Sequence, residues 1–162
     1  MKTKRVQFMT QAAMIAAIYV VLTIFVSAFN LASGAIQIRI SEALTILPAF
    51  TPAAIPGLFI GCLISNLITG AMLPDIIFGS LATLIGAVGS YFCRKWKWAV
   101  PIPPILSNVL IIPFVLAYAY HIPGGVPYFM LTVGIGEVIS CGIIGLLLYN
   151  VLCKYRNIIF KS

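Results

Sequence analysis

The sequence has very little charge, and acidic side chains are especially scarce. Only 8% of its 162 residues are charged, while 62% are hydrophobic, and the mean hydropathy is +1.12. A soluble domain carries about 25% charged residues. We therefore expect an integral membrane protein that forms one domain over residues 1–162, with no room for a separate soluble module.

Sequence motifs of the common enzyme classes are also missing. The chain contains no GxxxxGK[ST] phosphate-binding loop and no Gly-Lys dipeptide, which excludes ATP hydrolysis by the P-loop route. It has one histidine, no HExxH, no Cys/His cluster and no GxSxG, so it lacks the usual zinc-binding and serine-hydrolase signals. We expect no enzyme activity in this chain, no metal and no cofactor.

The basic residues follow a pattern typical of membrane topology. The net charge is +7, and nine of the ten basic residues fall in three clusters, at residues 2–5, 94–97 and 154–161. Six apolar segments alternate with these clusters, at about residues 8–29, 40–50, 53–69, 75–93, 100–120 and 129–153. Six crossings put all three clusters on one side, and the positive-inside rule then makes both termini cytoplasmic. This placement argues against nucleic acid as the partner.

The second and third segments are short and rich in proline. Residues 40–69 hold both segments and contain Pro48, Pro52 and Pro56, whereas two full crossings need about 40 residues. We expect this pair to be short, kinked or partly re-entrant. Such interrupted segments often mark the binding site of a transporter.

Glu137 is the most unusual side chain in the sequence. It lies about 12 Å along the last apolar segment from Phe129, and no Lys or Arg accompanies it at that depth. A charged side chain there costs at least about 2.5–3.5 kcal/mol. Glu137 is therefore the leading candidate for binding a ligand. Its structural alternatives are an ion pair with Arg39, or a protonated carboxyl bonded to a backbone carbonyl.

Other polar residues cluster toward the outer half of the predicted bundle, and each has a structural alternative. Glu42 could occupy a helix start and pair with Arg39 at i, i+3, and Asp75 could cap a helix. Asn66 and Asn108 could join helices by hydrogen bonds. Together they predict a polar pocket that opens outward. Its candidate lining residues are Arg39, Glu42, Asn66, Asp75, Asn108, Tyr120, Tyr128 and Glu137.

Small residues recur at four-residue spacing, which lets helices approach closely. Two such sets are expected to pack within the bundle: Gly57/Gly61/Ser65 and Ala82/Gly86/Ser90. Two further pairs, Ala12/Ala16 and Ala13/Ala17, lie near the cytoplasmic end of the first segment, where a partner helix could dock.

Two runs of sequence resemble a known family. The run IQIRISEALTILPAFTPAAIPGLFIGCLISN (residues 36–66), followed by DIIFGSLATLIGA (residues 75–87), resembles the QueT family. Members are queuosine-precursor S components of energy-coupling-factor (ECF) importers. The resemblance implies an all-α, six-helix bundle in the plasma membrane of a bacterium. It implies capture of a deazapurine near the outer surface, and association with a membrane coupling protein and two ATPase subunits.

The resemblance also bears on individual residues. The Ala-x-x-x-Ala surface on the family's first helix meets the coupling protein, and it matches Ala12/Ala16 or Ala13/Ala17 here. For the ligand we rely on chemistry: one carboxylate, such as Glu137, can accept the N–H and amino group of a 7-deazaguanine. Asn108 could contact the neighbouring carbonyl of the base, and Tyr120, Tyr128 or Phe129 could stack on the ring. Glu42 or Asp75 could neutralise an aminomethyl cation.

Two other functions remain compatible with the sequence. A related S component could carry another vitamin-like ligand on the same bundle. A self-sufficient proton-coupled carrier could use Glu137 as its titrating group.

Overall fold

The computed structural model describes residues 2–28, 39–121 and 124–159. Every regular element within these ranges is helical. Residue 29, where the first predicted segment ends, lies outside them. The elements are α1 (Lys2–Ala28), a 3₁₀ helix (Ile40–Ala49), α2 (Ala54–Ile68), α3 (Leu73–Phe92), α4 (Ile102–Tyr118), α5 (Val126–Glu137), a π-helix (Val138–Ile144) and α6 (Gly145–Ile159). Two single 3₁₀ turns, Cys93–Lys95 and Lys97–Ala99, join α3 to α4.

Four stretches are long and apolar enough to cross a membrane: Thr3–Ala28, Leu73–Lys95, Lys97–Tyr118 and Val126–Arg156. The helices Ile40–Ala49 and Ala54–Ile68 are apolar but shorter, so the expected shortness of this pair is confirmed. The first contains Pro48 and extends only about 20 Å at 2.0 Å per residue, against about 30 Å of hydrocarbon. Length and composition thus support four spans, and the six-span arrangement remains a prediction.

Helices α1 and α2 approach closely because glycines of α2 face alanines of α1. A β-carbon on Gly57 would lie 2.7 Å from the carbonyl oxygen of Ala12, and one on Gly61 would lie 3.1 Å from the Cα of Ala16. The expectation that Gly57 and Gly61 pack within the bundle is confirmed. The same approach places Tyr19 inside the protein, where it is 1% exposed.

Helices α3 and α4 pack by a similar device. A β-carbon on Gly86 would lie 2.6 Å from the Cα of Pro104, while Ala82 and Ser90 are fully buried on the same face of α3. The Ser90 hydroxyl donates to the carbonyl oxygen of Val100 at 2.8 Å. The predicted packing role of this second set of small residues is therefore confirmed.

The 3₁₀ helix lies at the centre of the bundle. It contacts α1, α2, α3, α6 and the π-helix, and residues 41–48 are all buried. On its apolar side, Leu44 and Leu47 join a core with Tyr19, Leu58 and Cys62. Because the whole segment is enclosed, the polar side chains on its other side, Glu42 and Thr45, are carried into the interior.

Candidate functional site

The centre of the site is a pair of carboxylates from distant parts of the chain. Glu42, from the 3₁₀ helix, is 1% exposed, and Glu137, the last residue of α5, is 5% exposed. One oxygen of each carboxylate and the sulfur of Cys141 lie within 4.8 Å of one another. Within the described residues neither glutamate forms an ion pair, since the one found there joins Arg39 to Asp75.

The two oxygens of Glu42 have different surroundings. Oε1 accepts hydrogen bonds from the Tyr19 hydroxyl of α1 and from the Thr83 hydroxyl of α3, the latter at 3.2 Å. Oε2 is buried and has no hydrogen-bond partner among the described residues. The carboxylate is therefore fixed through one oxygen, while the other stays free to accept a donor from a ligand.

Glu137 lies where α5 passes into the π-helix. The Cys141 thiol is 3.2 Å from Glu137 Oε2 and 3.3 Å from the backbone oxygen of Glu42, so its single proton serves one of these acceptors at a time. The Thr45 hydroxyl lies 3.4 Å from the same sulfur. Short π-helical stretches inside α-helices occur frequently at functional sites, and this one begins directly after Glu137.

Further unpartnered polar atoms lie in the interior of the bundle. Asn108 of α4 is 2% exposed and its side chain interacts with Glu137, yet its amide nitrogen has no hydrogen-bond partner among the described residues. The Ser140 hydroxyl and Asp75 Oδ1 also have no hydrogen-bond partner among the described residues. Each such group costs about 1–3 kcal/mol when left unsatisfied. Several such atoms inside an apolar bundle are typical of a binding site.

The pair is deep within the bundle. At 1.5 Å per residue, Glu137 lies about 17 Å from the start of α5 at Val126, and Tyr19 lies about 14 Å from the end of α1 at Ala28. Asp75 lies in the first turn of α3. It is therefore closer to the end of the bundle at which α5 begins and α1 ends. Going inward, a ligand would thus meet Asp75 before the carboxylate pair.

A second polar group surrounds Asp75. Its Oδ2 lies 3.6 Å from the Arg39 guanidinium and accepts a hydrogen bond from the Tyr120 hydroxyl at 3.0 Å. The Asn66 amide nitrogen lies 3.5 Å from the Asp75 backbone oxygen. Burial raises the pKa of Tyr120, and the Asp75 carboxylate raises it further, so the phenol keeps its proton and donates. Four predicted site residues, Arg39, Asn66, Asp75 and Tyr120, therefore come together here.

This group corrects two structural alternatives considered for the acids. Arg39 does not pair with Glu42, because it precedes the 3₁₀ helix in an extended conformation and reaches Asp75 of α3 instead. Asp75 is not a helix cap, because Met72 holds the N-cap position of α3 and Asp75 follows in the first turn, with its backbone N–H bonded to the Met72 carbonyl.

The remaining candidates lie apart from the acids. Tyr128 is 49% exposed in the first turn of α5, with its ring centroid 5.7 Å from that of Phe129. On α1, Ala16 is buried against α2, whereas Ala13 and Ala17 are exposed. Ala12 is partly buried on the face of Ala16.

Three residues at the site were missed from the sequence. Tyr19 and Thr83 donate to Glu42, and Cys141 contacts Glu137. A usable signal existed for two of them: Tyr19 places a hydroxyl deep in the first apolar segment, and Cys141 follows Glu137 by one helical turn. No such signal existed for Thr83. A threonine within an apolar helix commonly donates its hydroxyl to a backbone carbonyl one turn earlier, as Thr83 also does to Gly79.

The site offers hydrogen-bond acceptors, the carboxylate oxygens, deep inside the bundle. Two carboxylates with a free oxygen and a free amide N–H nearby suit a ligand that presents several N–H groups beside a carbonyl. A small cation could also be held by Glu42, Glu137 and Cys141, whose potential ligand atoms lie close enough together. The predicted absence of a metal stays a prediction.

Comparison with known proteins identifies the family. The sequence model described as "QueT transporter" matches residues 9–154. A protein of Lactococcus lactis subsp. cremoris (strain MG1363), named "Queuosine precursor transporter QueT", is 35% identical over 85 residues. That match covers 52% of this chain and 50% of the relative, so it spans about half the relative's length. No solved structure matches. Because the family model covers most of the sequence, this chain belongs to the QueT transporter family.

Proposed function

We propose that this chain is the substrate-capturing S subunit of an ATP-driven ECF-type importer, and that its ligand is a 7-deazaguanine precursor of queuosine. Membership of the QueT transporter family supports transport, and the name of the Lactococcus relative supports this ligand class. The absence of a P-loop from the sequence supports ATP hydrolysis on separate subunits.

The observation that carries the proposal is the buried Glu42–Glu137 pair with its free acceptor. A 7-deazaguanine presents a ring N–H beside an amino group. Two of their three N–H bonds point out from the same edge, and the third points from the other side of the amino group. Glu137 accepts two of these, and the unpartnered Oε2 of Glu42 accepts the third. The free amide nitrogen of Asn108 then donates to the carbonyl of the base. Bonds to a carboxylate are roughly twice as strong as neutral ones.

The group around Asp75 contacts the other end of the ligand in this proposal. Asp75 Oδ1 is buried and unpartnered, and it lies nearer the helix ends than the carboxylate pair. If the ligand carries a 7-aminomethyl cation, Asp75 neutralises it while Arg39 holds the second oxygen. Tyr120, which is bonded to Asp75, and Tyr128, at the start of α5, are the ring-stacking candidates.

The proposed orientation places both termini in the cytoplasm of a bacterium and the helix ends near Asp75 outside. It follows from the three basic clusters at residues 2–5, 94–97 and 154–161 and the positive-inside rule. Cysteine labelling from outside intact cells should therefore miss position 96. Labelling of that position would contradict this orientation.

The test of the function is uptake. Cells that express this chain with an ECF coupling protein and two ATPases should accumulate radiolabelled 7-aminomethyl-7-deazaguanine. Accumulation should cease when the ATPases lose their catalytic residues, and it should survive collapse of the proton gradient while ATP is maintained. The opposite pattern would support the proton-coupled carrier. Uptake of an unrelated vitamin alone would support an S component with another ligand.

The coupling protein is proposed to dock on α1 through Ala13 and Ala17. These two alanines are exposed, whereas Ala16 is buried against α2, so the structure favours one register of the Ala-x-x-x-Ala surface. Ala13→Leu should weaken complex formation and uptake, because overpacking a close interface costs about 1–3 kcal/mol. Ligand binding to the isolated chain should be unchanged.

Ala16→Leu is the matched comparison. It should lower the thermal stability of the isolated chain, because Ala16 faces Gly61 within the bundle. Pull-down of the coupling protein, uptake and thermal unfolding separate the two effects. Full uptake by the Ala13→Leu variant would exclude this docking surface.

A further inference from the structure

The carboxylate pair has too few positive neighbours for both members to be ionised. The sequence has three acids, and Arg39 is the one basic residue outside the three clusters. Its guanidinium lies 3.6 Å from Asp75 and attracts Glu42 and Glu137 only over a longer distance. Two carboxylates that share a buried site cannot both ionise readily, so one of them retains a proton.

The neighbours of the pair supply hydrogen bonds but no compensating charge. Tyr19 of α1 donates to Glu42, and Cys141 of the π-helix contacts Glu137. Cys62 of α2 lies 3.4 Å from the Thr83 hydroxyl that donates to Glu42. From α4, the group that faces Glu137 is the uncharged amide of Asn108. None of these side chains can carry a positive charge, so none of them balances the negative charge of a second ionised carboxylate.

The hydrogen bonds decide which acid keeps the negative charge. Glu42 Oε1 accepts a hydrogen bond from the Tyr19 hydroxyl and shares the Thr83 proton with the Gly79 carbonyl. Hydrogen bonds to a carboxylate favour its ionised form.

Glu137 receives a thiol contact from Cys141, whose proton is divided between two acceptors. The Asn108 amide acts on Glu137 but forms no hydrogen bond with it by geometry. Glu42 is therefore the better place for the charge, and Glu137 is the better place for the proton.

We infer that the Glu42–Glu137 pair holds one proton in the ligand-free protein and releases it to solvent when the N–H groups of a ligand occupy the pair. This inference rests on the proposed function for the identity of the ligand. The unpartnered Oε2 of Glu42 and the unpartnered amide of Asn108, both more than nine-tenths buried, show that the pair faces a site still lacking donors and acceptors.

The exchange follows from the chemistry of the ligand. A protonated Glu137 has one acceptor oxygen and one O–H, and the O–H would face a ligand N–H. Ionised Glu137 has two acceptors that match the donor edge, and the ligand's N–H groups then offset the repulsion from Glu42. The released proton is taken up by the buffer. Binding should therefore strengthen with pH, by up to about tenfold per unit while one proton is released per ligand.

Titration calorimetry of the full-length chain with 7-aminomethyl-7-deazaguanine tests the exchange. At one pH, the heat of binding is measured in buffers with different heats of ionisation. The slope of the observed heat against the buffer's heat of ionisation gives the number of protons released per ligand. We expect close to one proton per ligand in the parent chain and in Gly134→Ala, whose added β-carbon makes an ordinary 3.5 Å contact with Val109 and which leaves all three acids in place. We expect close to none in Glu137→Gln. Binding without buffer dependence, or an unchanged count in Glu137→Gln, would overturn the inference.

Infrared spectroscopy tests the ligand-free state without any ligand. A protonated carboxyl has a carbonyl stretching band that a carboxylate lacks, and the parent chain should show it at neutral pH. The band should persist in Asp75→Asn and disappear in Glu137→Gln. Its absence from the parent chain would refute the shared proton, even if binding proves normal. If the calorimetry detects no binding, the proposed function and the release on binding fail, while the infrared result still decides whether the pair holds a proton.

Discussion

Glu137→Gln should weaken binding of a 7-deazaguanine at least tenfold. Glutamine keeps the shape of the side chain but replaces one acceptor oxygen with an N–H donor, which would face a donor of the ligand. Losing a hydrogen bond to a charged group costs about 1.5–3 kcal/mol, and a buried donor left unsatisfied adds to this. Titration calorimetry on the purified chain measures the change, and an affinity within twofold of the parent would show that this carboxylate does not contact the ligand.

A structural role for Glu137 makes a different prediction, which Arg39→Gln distinguishes. If Glu137 served to balance Arg39, both variants would lose thermal stability and share one binding defect. The guanidinium instead lies 3.6 Å from Asp75, so we expect Arg39→Gln to resemble Asp75→Asn rather than Glu137→Gln. Removing the proton-bearing acid should leave thermal stability close to that of the parent.

The second large effect is expected far from any charge, at the contact between α1 and α2. A β-carbon on Gly61 would lie 2.9 Å from the β-carbon of Tyr19 and 3.1 Å from the backbone of Ala16. Backbone cannot move aside as a flexible side chain can, so Gly61→Ala should cost about 1–3 kcal/mol of stability. It should also weaken ligand binding, because the shift moves the Tyr19 hydroxyl away from Glu42.

Gly134→Ala is the matched control. The added β-carbon there would meet Val109 at 3.5 Å, an ordinary contact, and alanine is favoured over glycine in a helix by up to about 1 kcal/mol. Thermal unfolding should therefore show no loss of stability for this variant. Equal losses for the two variants would indicate a general sensitivity to alanine rather than a close contact at Gly61.

The helical architecture and the location of the acids could largely be predicted from the sequence. Apolar runs between basic clusters define the long helices, and Pro48, Pro52 and Pro56 within 40–69 predict the short pair. Glu137 stands out because a carboxylate in an apolar segment is costly. These predictions depend on composition and on distance along one segment, which the sequence displays directly.

The partners of each acid could not be predicted, because they depend on how the 3₁₀ helix turns between the other helices. Position along the chain suggested that Arg39 and Glu42 meet at i, i+3. The extended conformation of Arg39 sends its side chain to α3 instead, and the enclosed 3₁₀ helix carries Glu42 inward to Tyr19. A sequence pattern fixes spacing within one helix, but contacts among three helices require their relative positions.

The choice between the two alanine pairs on α1 was undecided for the same reason. Ala12/Ala16 and Ala13/Ala17 have the same spacing, and one residue of rotation separates them. The contacts of Gly57 and Gly61 with Ala12 and Ala16 assign the first pair to the inside of the bundle. That leaves Ala13 and Ala17 exposed for the proposed partner.

The central claim is that the buried carboxylate pair binds the donor edge of a 7-deazaguanine. Its most direct test is titration of the purified chain, in lipid nanodiscs, with 7-aminomethyl-7-deazaguanine and with the analogue methylated on the ring N–H of that edge. We predict saturable one-to-one binding of the first compound, and binding at least tenfold weaker for the second, which cannot donate from the methylated nitrogen. Equal affinity for the two compounds, or no binding of the first, would contradict the claim.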